Sequence, residues 1–349
     1  MQDDRKNADR GGGRIAAGLH PIAAGVEPSG QFLYVANWGA HNISAYRIEQ
    51  SRGAIAPIPG SPFASGQWPH SIAVTPSGRF LYVANGNSND VSAYYIDPGS
   101  GALGSVVGSP YAANNHPESV TVAPSGEFAY VCNGFSGDIS GYRIDRESGC
   151  LQELTASPFP SGEKPLALAI DPSGRFAYVA NRRFDLWGYS IDGASGALEP
   201  VAGSPFPAGK GPTAITIDPS GRFVYVANFK SDTIGAYRID SDSGLLTPLH
   251  ASPYSSVGKV PIGVASDPLG VFLFVANGES DCVSAYRIDS LTGMLALVAG
   301  APFASGQMPC GVAVDPSGRF LYVANWVSND ISAYRIDRST GALTPIGDS

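Results

Sequence analysis

The sequence repeats one unit of about 48 residues seven times. Each copy opens with a proline ahead of an apolar run, and these prolines recur at steps of 47 to 49 residues: Pro21, Pro69, Pro117, Pro165, Pro212, Pro261 and Pro309. The copies are so similar that "FLYVANWGAHNISAYRI" (32–48) returns as "FLYVANWVSNDISAYRI" (320–336). Together they fill residues 21–349, so the sequence predicts a repeat architecture.

Each unit is predicted to contain four β-strands. In the second copy they are expected at 70–75, 79–85, 91–96 and 102–108, with turn sequences such as "PSG" and "DPGSG" between them. Val, Ile, Tyr and Phe dominate the apolar runs, and no run follows the 3.6-residue period of a helix. A single unit cannot bury two apolar faces, whereas a closed ring of units can. The sequence therefore predicts an all-β protein, a seven-bladed β-propeller of four-stranded antiparallel blades.

The repeat also predicts the domain organisation. Residues 1–13, "MQDDRKNADRGGG", are expected to form a disordered tail, and residues 14–349 a single propeller domain whose blades start near the seven prolines. The chain begins with a first strand and ends on a fourth, so blades 1 and 7 need not share strands. Residues 14–20 align with the connectors that precede the other blades, and we expect them to rest over blade 7.

Composition and charge exclude several classes of function. A formal charge of −8 disfavours general binding to nucleic acid or to a membrane surface. No stretch is apolar over the roughly 18 residues that a transmembrane helix needs, and the first 13 residues lack the apolar core of a secretion signal. We therefore expect a soluble cytoplasmic protein, or a secreted or periplasmic one if a signal peptide had been removed. The four cysteines show neither disulfide nor metal-site spacing.

The recurrent "YVAN" after "DPSGRF" resembles YVTN-repeat propellers and the seven-bladed lactonase family, which includes bacterial 6-phosphogluconolactonase and fungal carboxymuconate cyclase. The resemblance covers residues 21–349 and implies a hydrolase that acts on a lactone. Enzymatic members carry Pro-His-x-His, Gly-Pro-Arg-His and Asn-Arg-Gly motifs. The corresponding stretches here are "PHSI" (69–72), "GPTA" (211–214) and "NRR" (181–183), so only His70 and Arg182 match functional residues of the family.

The differences between copies point to one face of the ring. In a propeller the connectors between blades and the loops between second and third strands open on the same face. Four of the five histidines fall there, whereas the opposite face repeats Asp-Pro-Ser-Gly and Thr-Gly turns with little change. Ligand sites are usually built from variable loops on a rigid scaffold. We therefore expect the functional site on the variable face.

The candidate catalytic residues are His70, Glu118 and His116. Imidazole titrates near neutral pH and suits the general acid and base steps of lactone opening. His70 and Glu118 each follow a blade-opening proline, so both should point towards the channel from adjacent blades. The alternative is that these side chains only line the channel mouth. No cofactor is expected, although His20, His70 and His116 could converge on a divalent metal.

The candidate substrate-binding residues are basic and aromatic. Blades 4–6 place several cations on the variable face, which would suit a carboxylate or phosphate, and tryptophans of blades 1, 2 and 7 could stack on a ligand ring. These residues are Lys164, Arg182, Arg183, Lys230, Trp38, Trp68 and Trp326. The alternatives are solvated loop cations and tryptophans that plug the channel.

Two functions from different classes remain open on the sequence. The first is a lactonase-like enzyme that hydrolyses or forms a small anionic lactone at the channel mouth by histidine acid–base catalysis. The second is a non-catalytic propeller whose variable face binds a protein, peptide or glycan. Segregation of His, Glu and Arg favours the enzyme, while the near-identity of the repeats favours the scaffold.

Overall fold

The computed structural model describes residues 14–347 and confirms the predicted fold: seven four-stranded antiparallel blades around a central channel. The predicted tail (1–13) lies outside the described residues. No helix in the described part of the chain is long and apolar enough to cross a membrane.

The innermost strand of every blade begins at one of the seven repeat prolines. These channel-lining strands are β2 (Pro21–Val26), β7 (Pro69–Val74), β12 (Pro117–Val122), β17 (Pro165–Ile170), β22 (Pro212–Ile217), β27 (Pro261–Ser266) and β32 (Pro309–Val314). The proline bears no backbone donor, so it can only start a strand of this kind or occupy an edge.

The second strands form the core. They are β3 (Phe32–Asn37), β8 (Phe80–Asn85), β13 (Phe128–Asn133), β18 (Phe176–Asn181), β23 (Phe223–Asn228), β28 (Phe272–Asn277) and β33 (Phe320–Asn325). Every residue in them is buried. Each hydrophobic cluster joins two adjacent blades, as where Tyr34 of blade 1 packs with Leu81 of blade 2. Because both faces of these strands pack against neighbouring blades, the strands are apolar throughout.

The two outer strands of each blade differ in length, since the third strand has seven residues and the fourth has three. The third strands are β4 (Asn42–Ile48), β9 (Asp90–Ile96), β14 (Asp138–Ile144), β19 (Asp185–Ile191), β24 (Thr233–Ile239), β29 (Cys282–Ile288) and β34 (Asp330–Ile336). The fourth strands are β5 (Ile55–Pro57), β10 (Leu103–Ser105), β15 (Leu151–Glu153), β20 (Leu198–Pro200), β25 (Leu246–Pro248), β30 (Leu295–Leu297) and β35 (Leu343–Pro345).

Each blade also carries a short edge strand that the sequence did not predict. It pairs with the start of the third strand. In blades 1–6 these strands are β6 (Phe63–Ala64), β11 (Tyr111–Ala112), β16 (Phe159–Pro160), β21 (Phe206–Pro207), β26 (Tyr254–Ser255) and β31 (Phe303–Ala304).

Blade 7 takes its edge strand from the other end of the chain. β1 (Arg14–Ala16) pairs antiparallel with β34, with Ile15 opposite Ile331. The expectation that residues 14–20 rest on blade 7 is thus confirmed for residues 14–16, which pair with its third strand. Blades 1 and 7 each take their four main strands from one continuous segment, as expected, and the segment leading into blade 1 adds a fifth, edge strand to the sheet of blade 7.

A β-bulge in every innermost strand shapes the channel mouth. In blade 2, Pro69 pairs with Asn85 and Ser71 with Ala84, so His70 has no partner on the second strand. The same step in register occurs in all seven blades. A bulge breaks the alternation of side chains between faces. Both the residue after the proline and the one following it therefore line the channel.

Candidate active site

The connectors and the loops between second and third strands meet on one face, here called the upper face. In each blade, the backbone N–H of the residue after the second strand donates to the carbonyl oxygen of the residue before the innermost strand. Examples are Trp38 to His20 (2.9 Å) and Gly134 to His116 (2.8 Å). The residue before the proline has a left-handed backbone in every blade, with φ between 53° and 69°. These bonds hold the variable side chains close to the channel mouth.

The channel holds a cavity of about 550 Å³ bounded by the innermost strands. Its walls are mostly small or aliphatic, and polar groups are concentrated in a few blades. Of the candidate site residues, His70, Glu118 and Arg182 line this cavity. The structure thus brings two of the three candidate catalytic residues and one candidate substrate-binding residue to a single space.

Glu118 lies between two imidazoles. Its Oε2 is 3.4 Å from His70 Nδ1, and its Oε1 is 3.2 Å from His116 Nδ1. All three side chains are largely buried, with exposed fractions of 13% to 15%. A carboxylate with an imidazole nitrogen beside each oxygen can orient both rings and stabilise a positive charge on either one.

Trp38 determines the tautomer of His70. The indole Nε1–H donates to His70 Nε2 at 3.3 Å. An indole N–H can only donate, so Nε2 must be the unprotonated nitrogen of a neutral ring. The proton of neutral His70 is then on Nδ1, the nitrogen that faces Glu118. This is the arrangement in which a carboxylate supports an imidazole as a base.

Two glycines make room for the cluster. A Cβ at Gly86 would lie 2.7 Å from His70 Cδ2, and a Cβ at Gly134 would lie 2.7 Å from Glu118 Cγ. Blades 1, 4, 5 and 7 carry Trp, Arg or Phe at the equivalent position. Any side chain at 86 or 134 would occupy the space that His70 and Glu118 fill.

The surroundings of His70 and Glu118 lower the pKa of both groups, for different reasons. Burial lowers the pKa of His70 from its ordinary 6.5, and it outweighs the opposing attraction of Glu118. Burial alone would raise the pKa of Glu118, but the adjacent imidazole of His116 and the charges of His70, His116 and Lys164 lower it overall. The site is therefore predisposed to a neutral His70 beside an ionised Glu118.

The tryptophans form one stacked row beside the cluster. Trp38 lies 4.9 Å from Trp68 and 5.0 Å from Trp326 between ring centroids, and His20 stacks on Trp326 at 4.8 Å. The row continues to His116, whose ring lies 6.3 Å from Trp68. The three candidate tryptophans are thus brought together, but much of their ring surface packs against other rings.

The basic residues are divided between the channel and the rim. Arg182 lines the cavity with its guanidinium 5.8 Å from the ring of Phe229, and Lys164 Nζ lies 5.2 Å from the ring of Phe135. Within residues 14–347 neither cation forms an ion pair. Arg183 instead pairs with Glu163 at 2.8 Å and is 69% exposed. Lys230 does not line the cavity.

The predicted alternative metal set is only partly assembled. Within the described residues, one group brings three potential ligand atoms within 4.8 Å of one another, and it consists of His70, His116 and Glu118. His20 is absent from this group and stacks on Trp326.

Sequence reasoning missed several residues of the site. Phe135 stacks on His116 at 4.0 Å and is 60% exposed, but it was not among the candidate residues. Gly86 and Gly134 gave a partial signal in the sequence: glycine stands at this position in blades 2, 3 and 6, and the first two of these supply His70 and Glu118. The bond from Trp38 to His70 had no counterpart in the sequence pattern.

Comparison with known proteins gives a family match. The family model described as the seven-bladed β-propeller lactonase matches residues 20–115, 120–259, 204–306 and 263–349. A comparison with curated proteins found no match.

Several solved structures are similar over nearly the whole chain. A proposed 6-phosphogluconolactonase from Bacteroides fragilis has a TM-score of 0.76 at 19% identity, covering 97% of this chain and 96% of that one. The periplasmic gluconolactonase of Pseudomonas aeruginosa has 0.75 at 20%, covering 94% and 95%. The hydrazine synthase of Kuenenia stuttgartiensis has 0.72 at 20%, covering 97% and 99%. At these identities the likeness concerns the fold.

Proposed function

The chain belongs to the seven-bladed β-propeller lactonase family, and on that premise we propose that it hydrolyses a small anionic lactone at the upper mouth of the channel. The observation that carries the proposal is the placement of Glu118 between His70 and His116, with His70 and Glu118 lining the same cavity as Arg182. The cavity is thus lined by a general base (His70), by a carboxylate that supports the base (Glu118) and by a cation for the substrate (Arg182).

The chemical step follows from the tautomer of His70. Its Nε2 takes a proton from water while the water oxygen adds to the lactone carbonyl carbon. The ring C–O bond then breaks, and the proton passes from the His70 imidazolium to the departing oxygen, which gives the hydroxy acid. Glu118 stabilises the imidazolium, and His116 holds the second carboxylate oxygen in place. The attacking water has to displace the long bond from Trp38 to Nε2.

Substrate recognition is assigned to the basic and aromatic neighbours. Arg182 binds the anionic group of the lactone inside the cavity, and Lys164 adds to the positive potential. The row of Trp38, Trp68 and Trp326 offers its free edges to the less polar part of the ligand. Arg183 and Lys230 contribute at longer range from the rim.

The test is a pH-stat screen of aldonolactones, chosen because two structural neighbours bear gluconolactonase names. We expect ring opening above background for a phosphorylated or carboxylated lactone, with and without EDTA. Arg182→Ala should weaken the anionic substrate by about 1–3 kcal/mol and a neutral lactone much less. Equal losses for both substrates would remove Arg182 from substrate binding, and absence of any ring opening would refute the proposed reaction.

A second candidate function is a docking scaffold on the same face. The row of tryptophans and the exposed ring of Phe135 would suit a glycan or peptide. This function predicts glycan or peptide binding that Trp68→Ala weakens and that His70→Ala leaves unchanged. The lactone screen and this binding measurement separate the two candidates.

A further inference from the structure

The seven blades differ in how their upper-face loops are tied together. In five junctions the left-handed residue before a third strand accepts, through its side chain, the backbone N–H of the residue before the next innermost strand. We call this bond the rim latch; its length is 2.7 to 3.2 Å. The latches run from His41 to Trp68, Asn89 to His116, Asp232 to Val260, Asp281 to Met308 and Asn329 to His20.

The two junctions without a latch flank blade 4. At the junction that leads to Lys164, the acceptor position is Gly137. At the junction that leads to Gly211, it is Phe184. Neither residue has a side chain that can accept a hydrogen bond. Phe184 has a φ of 79° and is 48% exposed. A bulky side chain rarely adopts this backbone conformation. Such strain tends to occur at ligand-contacting sites.

Blades 4 and 5 also lack a serine-based hydrogen bond that braces the same loop in the other five blades, and in blade 5 the serine position is Gly235. In blades 1, 2, 3, 6 and 7 the asparagine that ends the second strand donates to a serine on the third strand at 2.9 Å. In blade 4 Trp187 replaces that serine, and its indole can only donate. Asn181 Nδ2, Trp187 Nε1 and the nearby Asp185 Oδ1 are all buried without a well-formed hydrogen bond. Asn181 is itself fully buried and immediately precedes Arg182.

We infer that Lys164 and the loop 182–184 of blade 4 form an adaptable anion-binding segment that becomes ordered when an anionic group bridges to Arg182. The segment that carries Lys164 and Arg182, which form no ion pair within the described residues, has fewer hydrogen bonds to hold its backbone, because both latches and the serine acceptor are missing. The junction between Asn89 and His116, by contrast, is latched at 2.8 Å and holds the catalytic side of the site rigid. The inference rests on the proposed function for the identity of the substrate, but not for its test.

The test is hydrogen–deuterium exchange on the intact protein, with inorganic phosphate as the probe. We expect peptides covering 160–164 and 181–186 to exchange about tenfold faster than the matching peptides of blades 2 and 3. Phosphate should slow exchange there and leave blades 1–2 unchanged. Arg182→Gln should abolish the phosphate effect without altering exchange in its absence.

Two variants provide matched controls. Gly137→Asn installs a latch, because asparagine tolerates the φ of 73° and a Cβ there meets nothing nearer than Gly162 O at 3.6 Å. It should slow exchange at 160–164, whereas Asn89→Gly should accelerate exchange at 112–116. Equal exchange at all seven junctions, or phosphate protection that survives Arg182→Gln, would overturn the inference. Failure of lactone hydrolysis alone would leave these results intact.

Discussion

At the scale of single residues, the proposed chemistry depends on the protonation of His70. Burial lowers its pKa below 6.5, and the neutral ring is the base. The rate of lactone opening should therefore rise with pH and level off at or below pH 6.5, which a profile of kcat/KM measures. His70→Ala should remove about 10²–10⁴-fold of the rate. His250→Ala, on an exposed turn of blade 5, is the control and should match the wild type.

The same shift links folding to pH. The folded state disfavours the charged His70, so the unfolded chain binds more protons in the window between the folded pKa and 6.5. The wild type should lose stability as pH falls through this window. His70→Gln should lose less, as thermal melts between pH 5 and 7 would record. A wild type and variant with parallel melting curves would contradict the lowered pKa.

A second residue-scale prediction concerns the space beneath Glu118. Gly134→Ala places a Cβ 2.7 Å from Glu118 Cγ and should push the carboxylate away from its two histidines. We expect at least a tenfold loss of kcat with the substrate affinity little changed. Gly278→Ala imposes an equivalent contact, 2.6 Å from Ile262 Cδ1, in blade 6 away from the cluster. If both variants lose activity equally, general strain and not the carboxylate is responsible.

Comparison among repeats predicted His70 and Glu118 because each departs from the aliphatic residue at the same position of blades 1, 4 and 6. It could not predict which histidine nitrogen faces which oxygen, since ring orientation depends on the bulge and on the Trp38 N–H from another blade. Lys230 and Arg182 were both candidates, although Arg182 directly follows its second strand and Lys230 follows one residue later. Their separation in space depends on where each loop directs its side chain.

At the scale of elements, a repeated tyrosine joins each blade to the next. Its hydroxyl donates to a glycine carbonyl in the next blade's turn at 2.8 to 2.9 Å in six of the seven junctions. Blade 6 has Phe274 at this position and lacks the hydroxyl. Phe274→Tyr should place its hydroxyl at Gly341 O and raise the free energy of unfolding by about 0.5–1.5 kcal/mol.

Chemical denaturation checks this prediction, with Tyr225→Phe as the inverse control. That variant removes the bond to Gly293 O and should destabilise the protein by a similar amount. Destabilisation by Phe274→Tyr would mean that the junction of blades 6 and 7 is packed differently from the other six.

The sequence indicated the repeated strands well, whereas the two-residue edge strands are too short to leave a periodic signal.

At the scale of the whole molecule, the ring closes with an edge strand that comes from residues 14–16 and pairs with the third strand of blade 7. A second tyrosine in every blade donates to the edge strand of the preceding blade. Tyr46 of blade 1 donates to Ala16 O of β1 at 2.8 Å, as Tyr94 of blade 2 does to Ala64 O at 2.6 Å. Through this bond β1 ties blade 1 to blade 7. The sequence pointed to blade 7 as the resting place of this segment but gave no sign of its pairing, because "RIA" is too short to be recognised as a strand.

Removal of residues 1–17 should therefore open the ring where its ends meet. The deletion eliminates the pairing of β1 with β34, the contact of Arg14 with Asp330 at 3.9 Å and the acceptor of Tyr46. Loss of one net hydrogen bond, about 1 kcal/mol, corresponds to a fall in Tm of about 1–2 °C for a domain of this size, so a decrease of at least this order is expected. Removal of residues 1–13 leaves β1 in place and should not change the Tm in a calorimetric scan. If both truncations melt like the full chain, β1 does not contribute to closure, and the contacts between the innermost strands of blades 1 and 7 suffice to hold the ring.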